Sequence, residues 1–240
     1  MSVNSALEKW IQSADAWITD QGTEGDWARR AVIDPALEKI LTNTKGKAVL
    51  DLGCGEGRYS RILQGKGALV MGIDPVPQFI KRARSLDSVS TYVEGTAENL
   101  PFDRSSFDIV LSYLTFIDIA DLQAASQEIT RVLRPGGELV VVSISNIAST
   151  TEGWIKDDAG NKAYRKVDRY KEHFEMDLEW RGIRIKNYHR PLSYVFGLFL
   201  NHGFVLTRFI EPLPDLSDPY YDEEWRVPNF QIYSFKRITE

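Results

Sequence analysis

Residues 49–57, Val-Leu-Asp-Leu-Gly-Cys-Gly-Glu-Gly, constrain this chain more than any other stretch. An apolar strand runs straight into three alternating glycines and then into a helical pattern. Glycine admits positive φ and leaves the main chain bare, so the loop can turn tightly and let a ligand lie against its amides. The neighbouring sequence repeats the strand–helix alternation. Ala48–Leu52, Leu69–Ile73, Phe107–Ser112 and Glu138–Ile144 are short apolar runs bounded by Gly, Asp or Ser, as in parallel strands buried on both faces. Between them, Tyr59, Ile62 and Leu63 share a helix face, as do Phe79, Ile80 and Ala83. Leu122, Ala125, Ile129, Val132 and Leu133 do the same before Pro135-Gly136-Gly137. Residues 46–145 therefore predict a doubly wound α/β sheet with right-handed crossovers.

The flanks differ in character. Residues 1–45 form a helical cap in which Leu7, Trp10, Ile11, Ala14 and Ile18 recur at helical spacing. A break at Gly22–Gly25 separates them from a second helix over Asp26–Leu41. Residues 146–191 are polar, with ten Lys and Arg against seven Asp and Glu between Lys156 and Arg190, and are interleaved with aromatics such as Trp154, Tyr170 and Trp180. Leaving the carboxyl end of a sheet strand, this insertion is either an ordinary amphipathic excursion or a lid. Residues 192–240 return to the same domain. A helix over Leu192–Asn201 stops at His202-Gly203, and strands Phe204–Ile210 and Phe230–Phe235 flank an acidic, proline-bearing loop.

Composition excludes several classes. At 43% hydrophobic and 26% charged, the chain is globular in make-up. Its single cysteine, Cys54, supports neither an internal disulfide nor a cysteine-rich zinc site and fits a reducing cytosol, so a cytoplasmic location and no metal are expected. The start lacks the basic-then-apolar order of a signal peptide. No apolar run approaches the ~20 residues of a membrane span. A net charge of -5 argues against a constitutive nucleic-acid binder.

The glycine spacing is GxGxG, with Arg58 where a dinucleotide fingerprint would carry its third glycine. Asp51, on the strand just before the loop, suits an ammonium or sulfonium better than a pyrophosphate. Asp74 closes the next strand, about 20 positions beyond the loop. There it is placed either to accept from both hydroxyls of a ribose or to cap the helix after Pro75. Residues 94–102, Glu-Gly-Thr-Ala-Glu-Asn-Leu-Pro-Phe, fall where the third strand would end and could border an adenine.

Taken in this order, VLDLGCGEGRYS, GIDP, GTAENLPF, FDIVLSYL and EITRVLRPGGEL resemble the class I S-adenosylmethionine-dependent methyltransferases. The nearest group is the small-molecule one that includes the ubiquinone/menaquinone-biosynthesis type. The resemblance covers residues 46–145 and, more loosely, Tyr188–Arg237. It implies a seven-stranded, mostly parallel sheet whose last strand is antiparallel, with S-adenosylmethionine as cofactor and S-adenosylhomocysteine as product. By position, Gly53, Gly55 and Gly57 would pass beneath the methionine part, Asp51 would orient its ammonium and Ser112 would lie beside it. Asp74 would take the ribose hydroxyls, and Ala97 and Glu98 would border the adenine. Thr96 stands where the group usually has Asp, leaving a hydroxyl to accept from the adenine amine. Arg29 resembles a residue able to meet the methionine carboxylate, or else lies on a solvated helix face.

The second substrate is less legible. The stretch Ser112-Tyr113-Leu114-Thr115-Phe116 lacks the Asn/Asp-Pro-Pro-aromatic signature of nucleic-acid amino methyltransferases, which points to a small, partly hydrophobic O or N acceptor. His189, expected at the pocket mouth, is a candidate base or a surface histidine. Tyr113 is pocket wall or core. Arg190 would pair with an anionic substrate or with the 215–224 loop. Rival readings are a non-catalytic cofactor-binding or partner subunit and an NAD(P)-dependent oxidoreductase. The acceptor, the methylated atom and the oligomeric state stay open.

Overall fold

The computed structural model describes residues 3–238. In chain order, α1 (Val3–Gln21) leads through a π-helical turn, Arg29–Ile33, into α2 (Asp34–Ile40). The repeat then runs β1 (Ala48–Leu52), α3 (Arg58–Gly65), β2 (Leu69–Asp74), α4 (Pro77–Leu86), β3 (Thr91–Glu94), β4 (Phe107–Tyr113), α5 (Leu122–Val132) and β5 (Leu133–Ile144). Two hairpins follow: β6 (Ile155–Lys156) with β7 (Lys162–Tyr164), and β8 (Phe174–Trp180) with β9 (Ile183–His189). The chain closes with α6 (Leu192–Leu200), β10 (Phe204–Ile210), α7 (Tyr221–Arg226) and β11 (Phe230–Arg237).

Seven strands form one sheet in the order β3-β2-β1-β4-β5-β11-β10. The five from β3 to β5 pair in parallel, and β11 runs antiparallel to both neighbours. This is the predicted doubly wound architecture, including the antiparallel closing strand. Alternate residues of the central strands feed opposite layers. Leu50, Leu52, Val110, Leu139 and Val141 pack toward α5 and α6. Val49, Ile109, Leu111, Val140 and Val142 pack toward α2 and α3. No described helix is long and apolar enough to cross a membrane.

The structure departs from expectation at three places. The helix expected over Asp26–Leu41 begins with a π-turn, whose wider winding runs directly into Asp34-Pro35. Strand β5 starts at Leu133, before the Pro-Gly-Gly turn, because the residue ahead of a proline is pushed out of the helical region and the chain extends early. The insertion is strand-forming, and its second hairpin packs along α1. Ser13 fixes that contact in both directions: its hydroxyl donates to the Arg184 carbonyl at 2.8 Å and accepts the Arg184 N–H at 2.9 Å.

Candidate active site

Ligands of open α/β sheets bind beyond the carboxyl ends of the strands, at the point where the order reverses. Here that point lies between β1 and β4, where Gly53 borders three adjoining hollows. Gly53 has φ +70°, and a Cβ there would sit 2.2 Å from Thr115 Cγ2. Thr115 cannot easily swing away, since its hydroxyl donates to the Leu52 carbonyl at 2.9 Å. Gly55, at φ +55°, would place a Cβ in open space: here the bare main chain faces the hollow. Gly57 does something else. It precedes α3 at φ +78°, and its missing side chain accommodates the Tyr92 ring. It supports the loop from behind and does not line the cleft.

Two buried carboxylates face the loop. Asp74 accepts the Gly55 N–H on Oδ2 and the Val76 N–H on Oδ1, both at 2.9 Å. It holds the loop and is not the cap of α4, a position taken by Val76. Burial pushes its carboxyl up to about 6, against the pull of those two N–H groups. Asp51 receives the Ser60 hydroxyl on Oδ2 at 2.6 Å, while its buried Oδ1 has no partner. Burial likewise raises it to about 6, against the Ser60 hydrogen bond and the Arg58 charge. Asp51, Gly53, Gly55 and Arg29 line one small pocket together. An orphaned acceptor in such a place fits an incoming ammonium group. The residues thus fit the cofactor that the sequence implies.

On the other side of Gly53 lies a groove of about 90 Å³, bordered by Thr96, Ala97 and Glu98 and predominantly apolar. Above the loop opens a larger cavity of about 280 Å³. Its walls come from α1, the β2–α4 junction, the loop after β4 and the β8–β9 hairpin. Trp10 meets Trp17 at 5.3 Å and Phe79 at 6.0 Å between ring centres, and Trp17 meets Trp180 at 6.5 Å, all edge to face. Asp26, Arg29, Asp74, Asp118 and Asn187 interrupt this wall. Burial pushes the Asp118 carboxyl up to about 8.

The cleft therefore gathers Asp51, Gly53, Gly55, Asp74, Thr96, Ala97, Glu98, Arg29 and Tyr113. Arg29 arrives with its charge already paired, donating to Asp26 at 2.7 Å, and with its guanidinium 4.9 Å from the Trp17 ring centre. Tyr113 offers its ring as wall. Its hydroxyl donates to Asp34 at 2.8 Å and accepts from Arg58 at 3.3 Å, so it is engaged elsewhere. Ser112 is fully buried in the sheet, paired with Leu52 and Val141, and does not line the cleft.

His189 is the main correction. It is 1% exposed, and both ring nitrogens are occupied. Nε2–H donates to the Tyr170 carbonyl at 2.9 Å, leaving Nδ1 to accept the Ser149 hydroxyl at 2.8 Å, and the ring stacks on Phe174. Burial lowers its pKa. The same face of β9 carries Ile185 and Asn187 to the cavity, so the strand reaches the site two residues before the histidine. Arg190 meets neither a substrate pocket nor the 215–224 loop. It donates to the carbonyls of Phe116, Ile119 and Ala120 at 3.2, 2.5 and 2.9 Å. Asp118 and Asn187 were missed, although an acid inside the apolar run Phe116–Ala120 was a readable signal.

Residues 50–141 match a family described as "Methyltransferase domain". A solved S-adenosylmethionine-dependent methyltransferase from Mesorhizobium loti superposes with a TM-score of 0.76 at 27% identity, covering 85% of this chain and 96% of that one. A malonyl-[acyl-carrier protein] O-methyltransferase of Salmonella typhimurium is 30% identical over 62% of this chain and 60% of its own length. A demethylmenaquinone methyltransferase of Tropheryma whipplei is 34% identical over 51% of this chain and 50% of its own. The chain thus spans only half to three fifths of these two curated relatives.

Proposed function

Because the chain belongs to the class I S-adenosylmethionine-dependent methyltransferases, we propose that it transfers the methyl group of S-adenosylmethionine to an O or N atom of a small, partly hydrophobic acceptor. The observation that carries this reading is the meeting, at Gly53, of a groove bordered by Thr96, Ala97 and Glu98 with an aromatic-walled cavity of about 280 Å³ that takes in Gly55, Asp74 and Arg29 at the ends of β1 and β4. When bound, the cofactor supplies an electrophilic methyl on a good leaving group. What remains for the protein is alignment, dehydration and charge.

Asp51 Oδ1 receives the ammonium, and Arg29, beside it, steadies the carboxylate end. Asp74 keeps a free lone pair on each oxygen for the two ribose hydroxyls, and Thr96, Ala97 and Glu98 border the adenine. Trp10, Trp17 and Trp180 exclude water from the acceptor. Helix α1 and the insertion 146–190 act as a lid over this cavity. The curated relatives name two different acceptors, malonyl-[acyl-carrier protein] and demethylmenaquinone. The matched domain, 50–141, leaves out α1 and the hairpin that wall the cavity. The aromatic walls of this cavity suit a partly hydrophobic acceptor.

Calorimetry tests the donor half: S-adenosylhomocysteine should bind at micromolar concentrations without metal. Tight NAD binding with no S-adenosylhomocysteine binding would sink the reading. Incubation of metabolite pools with methyl-labelled S-adenosylmethionine tests the acceptor half. A chain that binds the donor and labels nothing in any pool is instead a cofactor-binding partner subunit.

A further inference from the structure

The donor groove and the acceptor cavity share five lining residues: Trp10, Gly53, Pro75, Thr115 and Asp118. Gly55, Asp74 and Arg29 also line the larger cavity, so a cofactor held by them would reach past this seam, and the five shared residues border its path. Asp118 is the ionisable one among them.

Its setting is built. Asp118 Oδ1 receives the Trp10 indole N–H at 3.2 Å and the Asn187 side-chain N–H at 2.6 Å. Oδ2 makes no hydrogen bond to the described residues. Asp118 is half-buried and lines both hollows, and Oδ2 is not among the buried atoms left without a partner, so this oxygen is open to the cleft. The loop that presents it is clamped on either side. Arg190 holds the carbonyls of Phe116, Ile119 and Ala120, and the Tyr188 N–H donates to the Ile117 carbonyl at 2.7 Å. An otherwise buried guanidinium spent on three loop carbonyls makes sense if the residue between them must be held still.

We propose that Asp118 is a catalytic residue, its Oδ2 binding the N–H or O–H of the methyl acceptor and taking its proton. This rests on the methyltransferase reading above. The acceptor lone pair forms the new bond to the methyl carbon while the carbon–sulfur bond breaks, its electron pair remaining on sulfur. The positive charge of the sulfonium is thereby discharged, the proton passes to the Asp118 carboxylate, and the products are neutral at both atoms. The groups facing Asp118 are Trp10 from α1, Asn187 from β9, Asp74 from β2 and Arg29 ahead of α2. Burial and Asp74 favour its neutral form, while Trp10, Asn187 and Arg29 oppose them. A sulfonium in the groove adds a cation and draws the carboxyl toward the charged, proton-accepting form.

The test compares two probes that differ in that charge. Carboxyl carbon NMR of the full chain, with the Asp118 signal identified by its absence in Asp118→Asn, gives the titration midpoint alone, with S-adenosylhomocysteine and with S-adenosylmethionine. The midpoint should lie well above the ordinary carboxylate value in the free chain. It should be lower by about 1–3 pH units with the sulfonium than with the neutral thioether. Equal midpoints with the two would overturn the proposal, by placing Asp118 away from the reacting centre. If Asp118→Asn fails to fold, the Asp118→Glu variant supplies the assignment by shift instead of loss. With an acceptor returned by the labelled-methyl screen, Asp118→Asn should lower kcat by about 10²–10⁴-fold. An unchanged kcat would equally overturn it. Failure of the parent chain to bind either probe strikes the methyltransferase reading itself, a result separate from both.

Discussion

Two glycines two positions apart have different jobs, and alanine substitution should separate them. Gly53→Ala drives a methyl into Thr115 and forces a left-handed alanine, a combined cost of about 2–5 kcal/mol. Gly55→Ala meets no neighbour in the free chain, so its cost is about 1–2 kcal/mol, yet its methyl occupies ligand space. Denaturant melts of the ligand-free variants should rank Gly53→Ala well below Gly55→Ala, and calorimetry should show both impaired for S-adenosylhomocysteine. Equal stabilities would mean that Thr115 yields. Asp74→Ala removes the acceptor for two hydroxyls and for the Gly55 N–H. With each bond to a charged group worth ~1.5–3 kcal/mol, loss of both should lower affinity for S-adenosylhomocysteine by about 10²–10⁴-fold. An unchanged dissociation constant would leave Asp74 a purely structural loop anchor. Asp74 was legible because its role follows from its distance along the chain from the glycines. Asp118 shows in the sequence only as an acid inside an apolar run, because the partners that hold it, Trp10 and Asn187, lie 108 and 69 residues away.

At the scale of elements, the five parallel strands were legible because burial on both faces writes itself as an unbroken apolar run. The β8–β9 hairpin was written in another hand. Phe174, Met176, Leu178 and Trp180 alternate with Glu175, Asp177 and Glu179, a period-2 signal of a half-buried strand that the charge-rich composition obscured. This hairpin meets α1 through the Ser13–Arg184 exchange, the Lys9–Asp177 pair and an Arg181–Asp20 pair at 2.8 Å. Such exposed ion pairs are screened by water and add little to stability, so the closure is weak apart from its tryptophans. Proteases should therefore cut in α1 or in residues 146–190 of the free chain, and S-adenosylhomocysteine should slow the cutting. Equal rates with and without ligand would make these elements a fixed wall.

The whole molecule carries its buried acids as a liability at high pH. Asp51 and Asp74 are raised to about 6 and Asp118 to about 8, each chiefly by burial. The folded chain therefore holds protons that an unfolded one releases above about pH 4. Stability from these groups is complete below that value and is lost as pH rises through 6 and 8. Asp108 and Glu128 are shifted the other way, and their contribution is lost on acidification below about 4. The melting temperature of the ligand-free protein should thus peak on the acid side of neutrality and fall from about pH 5 to pH 8. Asp118→Asn should flatten the upper part of that fall, and a level profile in the parent would refute the account. The contact between Ser13 and Arg184 also spans 171 residues, which sets a timetable for synthesis. The donor groove is encoded almost contiguously and can assemble as soon as its strands leave the ribosome. Trp17 is made well before Trp180, the ring it meets from the hairpin. At about 5–20 residues per second that interval is roughly 10–35 s, during which the nascent chain displays its most adhesive surface. The aromatic wall that suits a hydrophobic acceptor is, for that interval, the stretch most in need of a chaperone.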